Sequence, residues 1–235
     1  MRSTYRKQAQ FVATLPSFDP RQVPVQGTDL HLPSPHPANL TAKAIAARFA
    51  TPHAWTPEVR KEAKFIDRAP AHASVLIPLV QREQLTVLLT LRPTHMNSHS
   101  GQIAFPGGKA DPEDHDAIAT ALREAHEEVG LEPQFVEVIG QLPIYTTGSA
   151  FIVTPVVALV DPGFTLKPNA EEVADVFEVP LEFLMNPANH RHHVVDWGGE
   201  QRRWLSMPYL DGNTERFIWG ATAGMLRNFY RFLLD

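Results

Sequence analysis

A chain of 235 residues that is 43% hydrophobic can bury the core of one domain and still carry an extension. No apolar run approaches the roughly 18 residues of a membrane span, and zero cysteines exclude a disulfide scaffold. The formal net charge of −5 hides an uneven split: residues 1–70 hold 10 Lys and Arg against 5 Asp and Glu, and the other 165 hold 11 against 21. An acidic main body is a poor surface for nucleic acid, whose binding depends on Lys and Arg at phosphates.

In chain order, the N-terminus has basic residues but no sustained apolar stretch, so the reading predicts no signal peptide and a cytoplasmic protein. Nine of the 21 prolines fall in residues 1–70, which therefore read as an irregular extension. Asn39 to Ala50 reads as a short helix within it, capped by Asn39 or Thr41. The main domain, residues 71–235, opens with β-rich segments Ala73–Val80 and Leu85–Leu91 around the turn Gln81–Gln84. Phe105-Pro106-Gly107-Gly108 is a turn whose paired glycines let backbone approach a ligand closely.

The helix that follows carries the most chemistry. Ile118, Ala121, Leu122, Ala125 and Val129 recur at helical spacing, while Glu124, Glu127 and Glu128 crowd the other side. Like charges at i, i+4 destabilise a helix by about 0.2–0.5 kcal/mol per pair, so the cluster calls for a cation. All-oxygen ligands favour a hard ion, Mg²⁺ or Mn²⁺. Asp111-Pro112 reads as the helix start, with Asp114 or Asp116 as alternative caps, and Gly130 as its left-handed end. Val136–Leu142 and Phe151–Val160 are further strands, the second central because it is apolar almost throughout. His190-Arg191-His192-His193 reads as a solvated loop, and Phe217–Leu234 as an amphipathic closing helix with Ile218, Met225, Phe229 and Leu233 inward.

The run Arg123-Glu124-Ala125-His126-Glu127-Glu128-Val129-Gly130, behind the paired glycines, resembles the Nudix box. The spacing from Gly108 to Arg123 is one residue longer than the family's usual box. His115 stands where the family's first glutamate would be, flanked by Asp114 and Asp116. Upstream, Leu88-Leu89-Thr90-Leu91-Arg92 leads through Met96, His99, Gly101 and Gln102 into Phe105-Pro106-Gly107-Gly108. This is similar to the signature of one Nudix subfamily, the coenzyme A pyrophosphatases, with Pro93 and Asn97 departing from it. Asn169-Ala170-Glu171-Glu172-Val173 and the segment from Phe217 to Ala223 resemble the same subfamily, so the likeness runs from about Ala73 to Leu233.

The resemblance implies an α/β fold, the Nudix α/β/α sandwich with a mixed sheet. It implies metal-dependent hydrolysis of the diphosphate of coenzyme A or acyl-CoA to 3′,5′-ADP and 4′-phosphopantetheine or its acyl form. The alternatives are another nucleoside diphosphate derivative such as ADP-ribose, or a nucleotide-sensing module without catalysis. Glu124 and Glu128, one turn apart, are the first-choice metal ligands, with Glu127 for a further ion. Arg123 is expected to lock helix to loop through Asp114 or Asp116. The resemblance points to Glu172 as general base, with Glu171 as the alternative. Arg92, His99, Lys109 and the Gly107-Gly108 backbone are candidate substrate contacts. The expected partner is a small molecule, not nucleic acid or membrane, with a homodimer as one arrangement of the chain.

Overall fold

The apolar stretches Leu76–Val80 and Val156–Val160 have no polar alternation, so neither face of either strand can meet water. They become the parallel centre of a sheet with helices on both sides. The computed structural model describes residues 19–51, 53–94, 100–197 and 200–234. The strands are β1 (Val25–Thr28), β2 (Ala71–Gln81), β3 (Leu85–Leu91), β4 (Ile103–Ala104), β5 (Gly107–Lys109), β6 (Val136–Gln141), β7 (Tyr145–Thr146), β8 (Phe151–Val160), β9 (Asp175–Pro180), β10 (Arg191–Trp197), β11 (Glu200–Asp211) and β12 (Thr214–Trp219). The helices are α1 (Ala42–Ala50), α2 (Ala117–Val129), α3 (Leu181–Met185) and α4 (Gly220–Leu234).

The larger sheet is mixed, in the order β4-β3-β2-β8-β6, with β5 also on β2, β7 on β8 and β9 on β3. Strands β2 and β8 run parallel in unbroken register from Ala71↔Phe151 to Val80↔Val160. Proline lacks an N–H and is confined to places where the ladder does not need one. Pro155 sits where the other neighbour of β8 changes from β7, opposite Ile152 and Val153, to β6, opposite Val156–Val160. One face of the sheet packs Leu76, Val80, Leu88, Val156 and Val160 against Ala121, Ala125 and Val129 of α2. The opposite face packs Ile77, Leu79 and Val157 with Ile45 of α1, Leu184 of α3 and Leu226 and Phe229 of α4. The layers are therefore helix, sheet, helix, as the α/β/α reading expects.

The start of the closing helix needs correction, and the caps left open at α2 and α1 are decided between their alternatives. The closing helix starts at Gly220, and Phe217–Trp219 belong to β12, paired with Pro208–Ser206 of β11. Ile218 suits either period, but the β-rich Phe-Ile-Trp run has a waiting partner strand, and Gly220 at φ +60° breaks the strand into the helix. Helix α2 starts after Asp116, whose Oδ1 accepts the Ala119 N–H at 2.7 Å, so Asp111-Pro112 lie in the preceding loop. In α1 the cap is Thr41, which accepts from Ala44 N–H, and Pro37–Leu40 form a 3-10 turn ahead of it.

The histidine tract is not a solvated loop. His190 and His193 are buried, and residues 191–197 form β10 of a second, four-stranded antiparallel sheet, β1-β10-β11-β12. His190 must donate from Nε2 to the Leu184 carbonyl (2.8 Å) and accept at Nδ1 from Arg227 (2.9 Å), because neither partner can reverse its role. That fixes the neutral ring. Arg227 is itself buried, with Asp29 at 2.9 Å and Glu58 at 2.8 Å, so one guanidinium ties α4 to the chain before β2.

Burial, with Arg227 adding to it, depresses the His190 pKa to about 4 from its ordinary 6.5. Between pH 6.5 and 4 the unfolded chain binds this proton and the folded chain does not, so stability falls as pH drops through that window. The loss at full development is on the order of 3 kcal/mol. His190→Gln keeps a donor and an acceptor without a titrating ring. Its melting temperature is expected to fall less steeply than that of the wild type between pH 6.5 and 4, and equal slopes would remove His190 as the cause.

Candidate active site

Helix α2 is built mostly from Ala, Leu, Arg and Glu, all good helix formers, between two well-defined ends. At its C-terminus Gly130 adopts φ +69°, its N–H bonding to the His126 carbonyl at 2.9 Å while Leu131 is buried beyond it. With Ala121, Ala125 and Val129 held in the core, the rotation of the helix is set. Arg123, Glu124, Glu127 and Glu128 must then face the turn that carries the paired glycines.

That turn lies unusually close. Strand β5 pairs antiparallel with β2, Gly107 opposite Val75 and Gly108 opposite Ser74. A Cβ at Gly107 would meet the Ser74 carbonyl at 2.5 Å and Val75 Cα at 2.6 Å, and the residue has φ +157°. A Cβ at Gly108 would stand 2.4 Å from the Glu124 carboxylate. The approach places the Gly107 N–H on Glu128 Oε2 at 3.0 Å. Arg92, at the end of β3, lies 3.8 Å from Glu128 Oε1, and its buried Nε has no hydrogen-bond partner among the described residues.

Glu128 is only 3% exposed. Burial pushes its carboxyl up to about 7, against the Gly107 N–H and Arg92, which favour the anion. Burial also raises Glu124, with the charges of Glu127 and Glu172 acting in the same direction and Arg123 opposing. Two crowded, desolvated carboxylates are an environment that a cation stabilises. Among the described residues no three His, Asp or Glu groups form a ready cage. The donor set nevertheless fits Mg²⁺ or Mn²⁺, since Mg²⁺ is usually held by one or two carboxylates and completes its shell with phosphate and water.

Arg123 organises the other side of the cluster. Its fork takes both oxygens of Asp114, at 3.0 and 2.8 Å, its Nη2 reaches the Lys109 carbonyl at 3.1 Å, and its Nη1 reaches Glu124 at 3.0 Å and Glu127 at 2.9 Å. The guanidinium holds the Asp114 carboxyl well below the usual carboxylate range. Of the two aspartates expected as partners, Asp114 takes the arginine and Asp116 caps the helix. Glu127 is the exposed member of the trio, and the Lys109 side chain is exposed as well.

Glu172 reaches the cluster by a different route. After α2 the chain folds back along the helix end, with Lys167 N–H on the Val129 carbonyl and Asn169 N–H on the Glu128 carbonyl, both at 2.9 Å. Val173 is buried against α2, and Ala174 N–H bonds to the Leu91 carbonyl at 2.8 Å. Glu172 is thus placed where its charge acts on both Glu124 and Glu128, whereas Glu171 is exposed. Asn169 positions it, donating from Nδ2 to Glu172 Oε1 at 3.2 Å. The Asn-x-x-Glu spacing does not by itself disclose this role of Asn169, and nothing local in the sequence marks the Gly107 N–H as a partner of Glu128. His99, Met96 and Asn97 lie outside the described residues.

The NUDIX domain model matches residues 70–198. An uncharacterized Nudix hydrolase, NudL, from Enterobacter sp. (strain 638) is 48% identical over 158 residues, covering 66% of this chain and 79% of that protein. The NudL of Escherichia coli (strain K12) is 44% identical over the same length, with the same coverage of each chain. Among solved structures, a C. elegans Ap4A hydrolase binary complex aligns at a TM-score of 0.41 with 18% identity, over 50% of this chain and 85% of that one. Within the described residues no helix is long and apolar enough to cross a membrane.

The two glycines are expected to fail differently. Gly107→Ala drives a methyl into β2 backbone and should lower the melting temperature markedly. Gly108→Ala meets only the movable end of Glu124, so the fold should survive. Displacing that carboxylate by about 1 Å should cost turnover on the order of 10²-fold. Melting curves beside rates of diphosphate hydrolysis distinguish the two, and an active Gly108→Ala enzyme would dissociate Glu124 from the reaction.

Proposed function

The chain belongs to the Nudix hydrolase family, and we propose that its reaction is hydrolysis of the diphosphate bond of coenzyme A or an acyl-CoA, giving 3′,5′-ADP and 4′-phosphopantetheine or its acyl form. The observation that carries the diphosphate chemistry is the buried Glu124–Glu128 pair beneath the Gly107-Gly108 backbone, flanked by Arg92 and Glu172. The coenzyme A half of the proposal is supported by the motif from Leu88 through Arg92 to Gly108 and by its likeness to the coenzyme A pyrophosphatases.

Glu124 and Glu128 would hold Mg²⁺ or Mn²⁺, and Glu127 would contribute to a further ion. Bound there, the metal supplies positive charge to the diphosphate oxygens. Arg123, occupied by Asp114 and the Lys109 carbonyl, keeps helix and glycine turn in fixed relation and does not touch substrate. Arg92, whose Nε is unpaired among the described residues, donates to a phosphate oxygen. The Gly107-Gly108 turn, without side chains, lets the diphosphate lie against backbone. Glu172 takes a proton from water as the water oxygen bonds to one phosphorus. The bridging P–O bond breaks, and the departing oxygen leaves on the other phosphate, so one water and one diphosphate give two phosphomonoesters.

Purified protein incubated with Mg²⁺ and coenzyme A in ¹⁸O-water is expected to yield 3′,5′-ADP and phosphopantetheine, with label in one product only. Glu124→Gln and Glu128→Gln should each lower the rate on the order of 10²-fold. Preferential cleavage of ADP-ribose in a parallel incubation would move the substrate to the alternative class. Release of inorganic phosphate with dephospho-CoA would exclude diphosphate hydrolysis.

Glu172 has its own signature. Glu172→Gln is expected to reduce kcat with little change in KM or in the Mg²⁺ concentration for half-activation, and to flatten the acidic limb of the pH–rate profile. A variant whose rate is restored by extra Mg²⁺ would make Glu172 a metal ligand instead of the base.

A further inference from the structure

Residues 60–68, Arg-Lys-Glu-Ala-Lys-Phe-Ile-Asp-Arg, place four basic side chains in nine positions ahead of an acidic main body. The segment is fixed to the fold. Thr146 N–H bonds to the Arg60 carbonyl and Glu62 N–H to the Thr146 carbonyl, both at 2.9 Å, and Phe65 N–H bonds to the Gly148 carbonyl at 3.0 Å. Its half-buried acid, Glu62, is held by the fold. Glu62 accepts the Tyr145 hydroxyl at 3.0 Å on one oxygen and the Gly148 N–H at 2.8 Å on the other. Phe65 packs so closely on Gly148 that a Cβ there would meet its ring at 2.4 Å.

The cations are left outward. Arg60, Lys61 and Arg68 are exposed and form no ion pair among the described residues, while Lys64 meets only the exposed Asp67 at 3.2 Å. The Arg68 guanidinium lies 4.2 Å over the Phe151 ring. Next to Ala150, the residue before Phe151, a cavity of about 340 Å³ is lined by residues 61–64 (Lys61, Glu62, Ala63, Lys64) together with Pro70, Thr146, Thr147 and Ala150. Ala150 is held at φ +61°, a left-handed conformation that is costly for a residue with a side chain and that recurs at binding loops. The cavity reaches Pro70, just ahead of β2, and Ser74, four residues further on, pairs with Gly108 of the catalytic turn. Four residues of extended strand cover about 13 Å, a distance that a nucleoside reaching back from the diphosphate can span.

We infer that this basic segment and its cavity form a subsite for the 3′-phosphoadenosine end of the substrate, with Lys61 and Lys64 on the 3′-phosphate and the Arg68–Phe151 stack as a platform for the base. The chemistry is that of an anion with an attached aromatic ring: lysines for the phosphate, a guanidinium-backed face for the purine. The inference rests on the reading that the substrate is coenzyme A-like, and it assigns residues 60–68 a part in choosing that substrate over nucleotides lacking the 3′-phosphate.

The test is binding, which does not depend on turnover. Adenosine 3′,5′-bisphosphate and 5′-AMP are titrated calorimetrically into the full chain and into a Lys61→Ala, Lys64→Ala double variant. The wild type is expected to bind the bisphosphate about tenfold more tightly, and the variant to bring the two ligands within about twofold. Glu128→Gln should retain the wild-type preference. Absence of preference in the wild type, or its survival in the double variant, overturns the subsite, as does tighter binding of single-stranded DNA than of the bisphosphate. A protein that splits coenzyme A without the preference loses the subsite and keeps the reaction, whereas one that shows the preference but leaves coenzyme A intact loses the reaction and keeps the subsite.

Discussion

Much of this structure follows from placing the Glu128 carboxylate, 3% exposed, at the edge of an apolar core. A carboxylate there carries a desolvation cost that only specific partners can offset. One oxygen is met by the Gly107 N–H at 3.0 Å and the other faces Arg92 at 3.8 Å, and neither suffices, since the group remains shifted up to about 7. The arrangement requires β5 to come within hydrogen-bonding distance of α2. That approach in turn requires residues without side chains at 107 and 108, because a Cβ at either would overlap β2 or Glu124. The glycines, the carboxylates and the strand pairing are parts of one constraint.

Arg123 resolves the opposite problem on the same helix. Without it, Glu124 and Glu127 would repel each other and Asp114 would lose its arginine partner on α2, leaving the loop tied to the helix through the Asp116 cap. Surface ion pairs contribute little when both partners are free to move. Here the guanidinium is three-quarters buried and engages both oxygens of Asp114 together with the Lys109 carbonyl, so its value lies in geometry more than in charge. In the loop between Gly108 and Arg123, Asp114 supplies the carboxylate that both ends of the guanidinium fork engage.

The chain ahead of β2 is woven into the same body. Ile45 of α1 is fully buried in the larger core, β1 pairs with β10, and the buried Arg227 of α4 joins the buried Asp29 and the exposed Glu58. His190 stays neutral because it is buried beside that guanidinium, with both ring nitrogens committed. The proline-rich composition of residues 1–70 conveys irregularity, but packing gives the described part of it definite partners.

Features with a short repeat were legible in the sequence. The period of Ala121, Ala125 and Val129 gave α2 its buried face and put three glutamates opposite, Gly130 marked its end, and unbroken apolarity marked β8 as central. These are local properties, fixed within one or two turns of chain. The start of α2 was less legible, because Asp111, Asp114 and Asp116 are equivalent as caps until Arg123 claims Asp114. The ambiguity of Phe217–Trp219 is similar: Ile218 fits a helix or a strand, and only the neighbouring β11 decides. His190 and His193 read as polar, yet tertiary packing buries them among residues distant in sequence. The same holds for the difference between Glu171 and Glu172, adjacent in the chain and chemically identical. The backbone bonds from Lys167 and Asn169 to the end of α2 carry Glu172 toward the carboxylate pair and leave its neighbour exposed. Sequence determined which carboxylates share a helix face, since that depends on residue spacing alone. Only the tertiary structure decided which of them are desolvated and charge-coupled, since that depends on which distant segments exclude water from them.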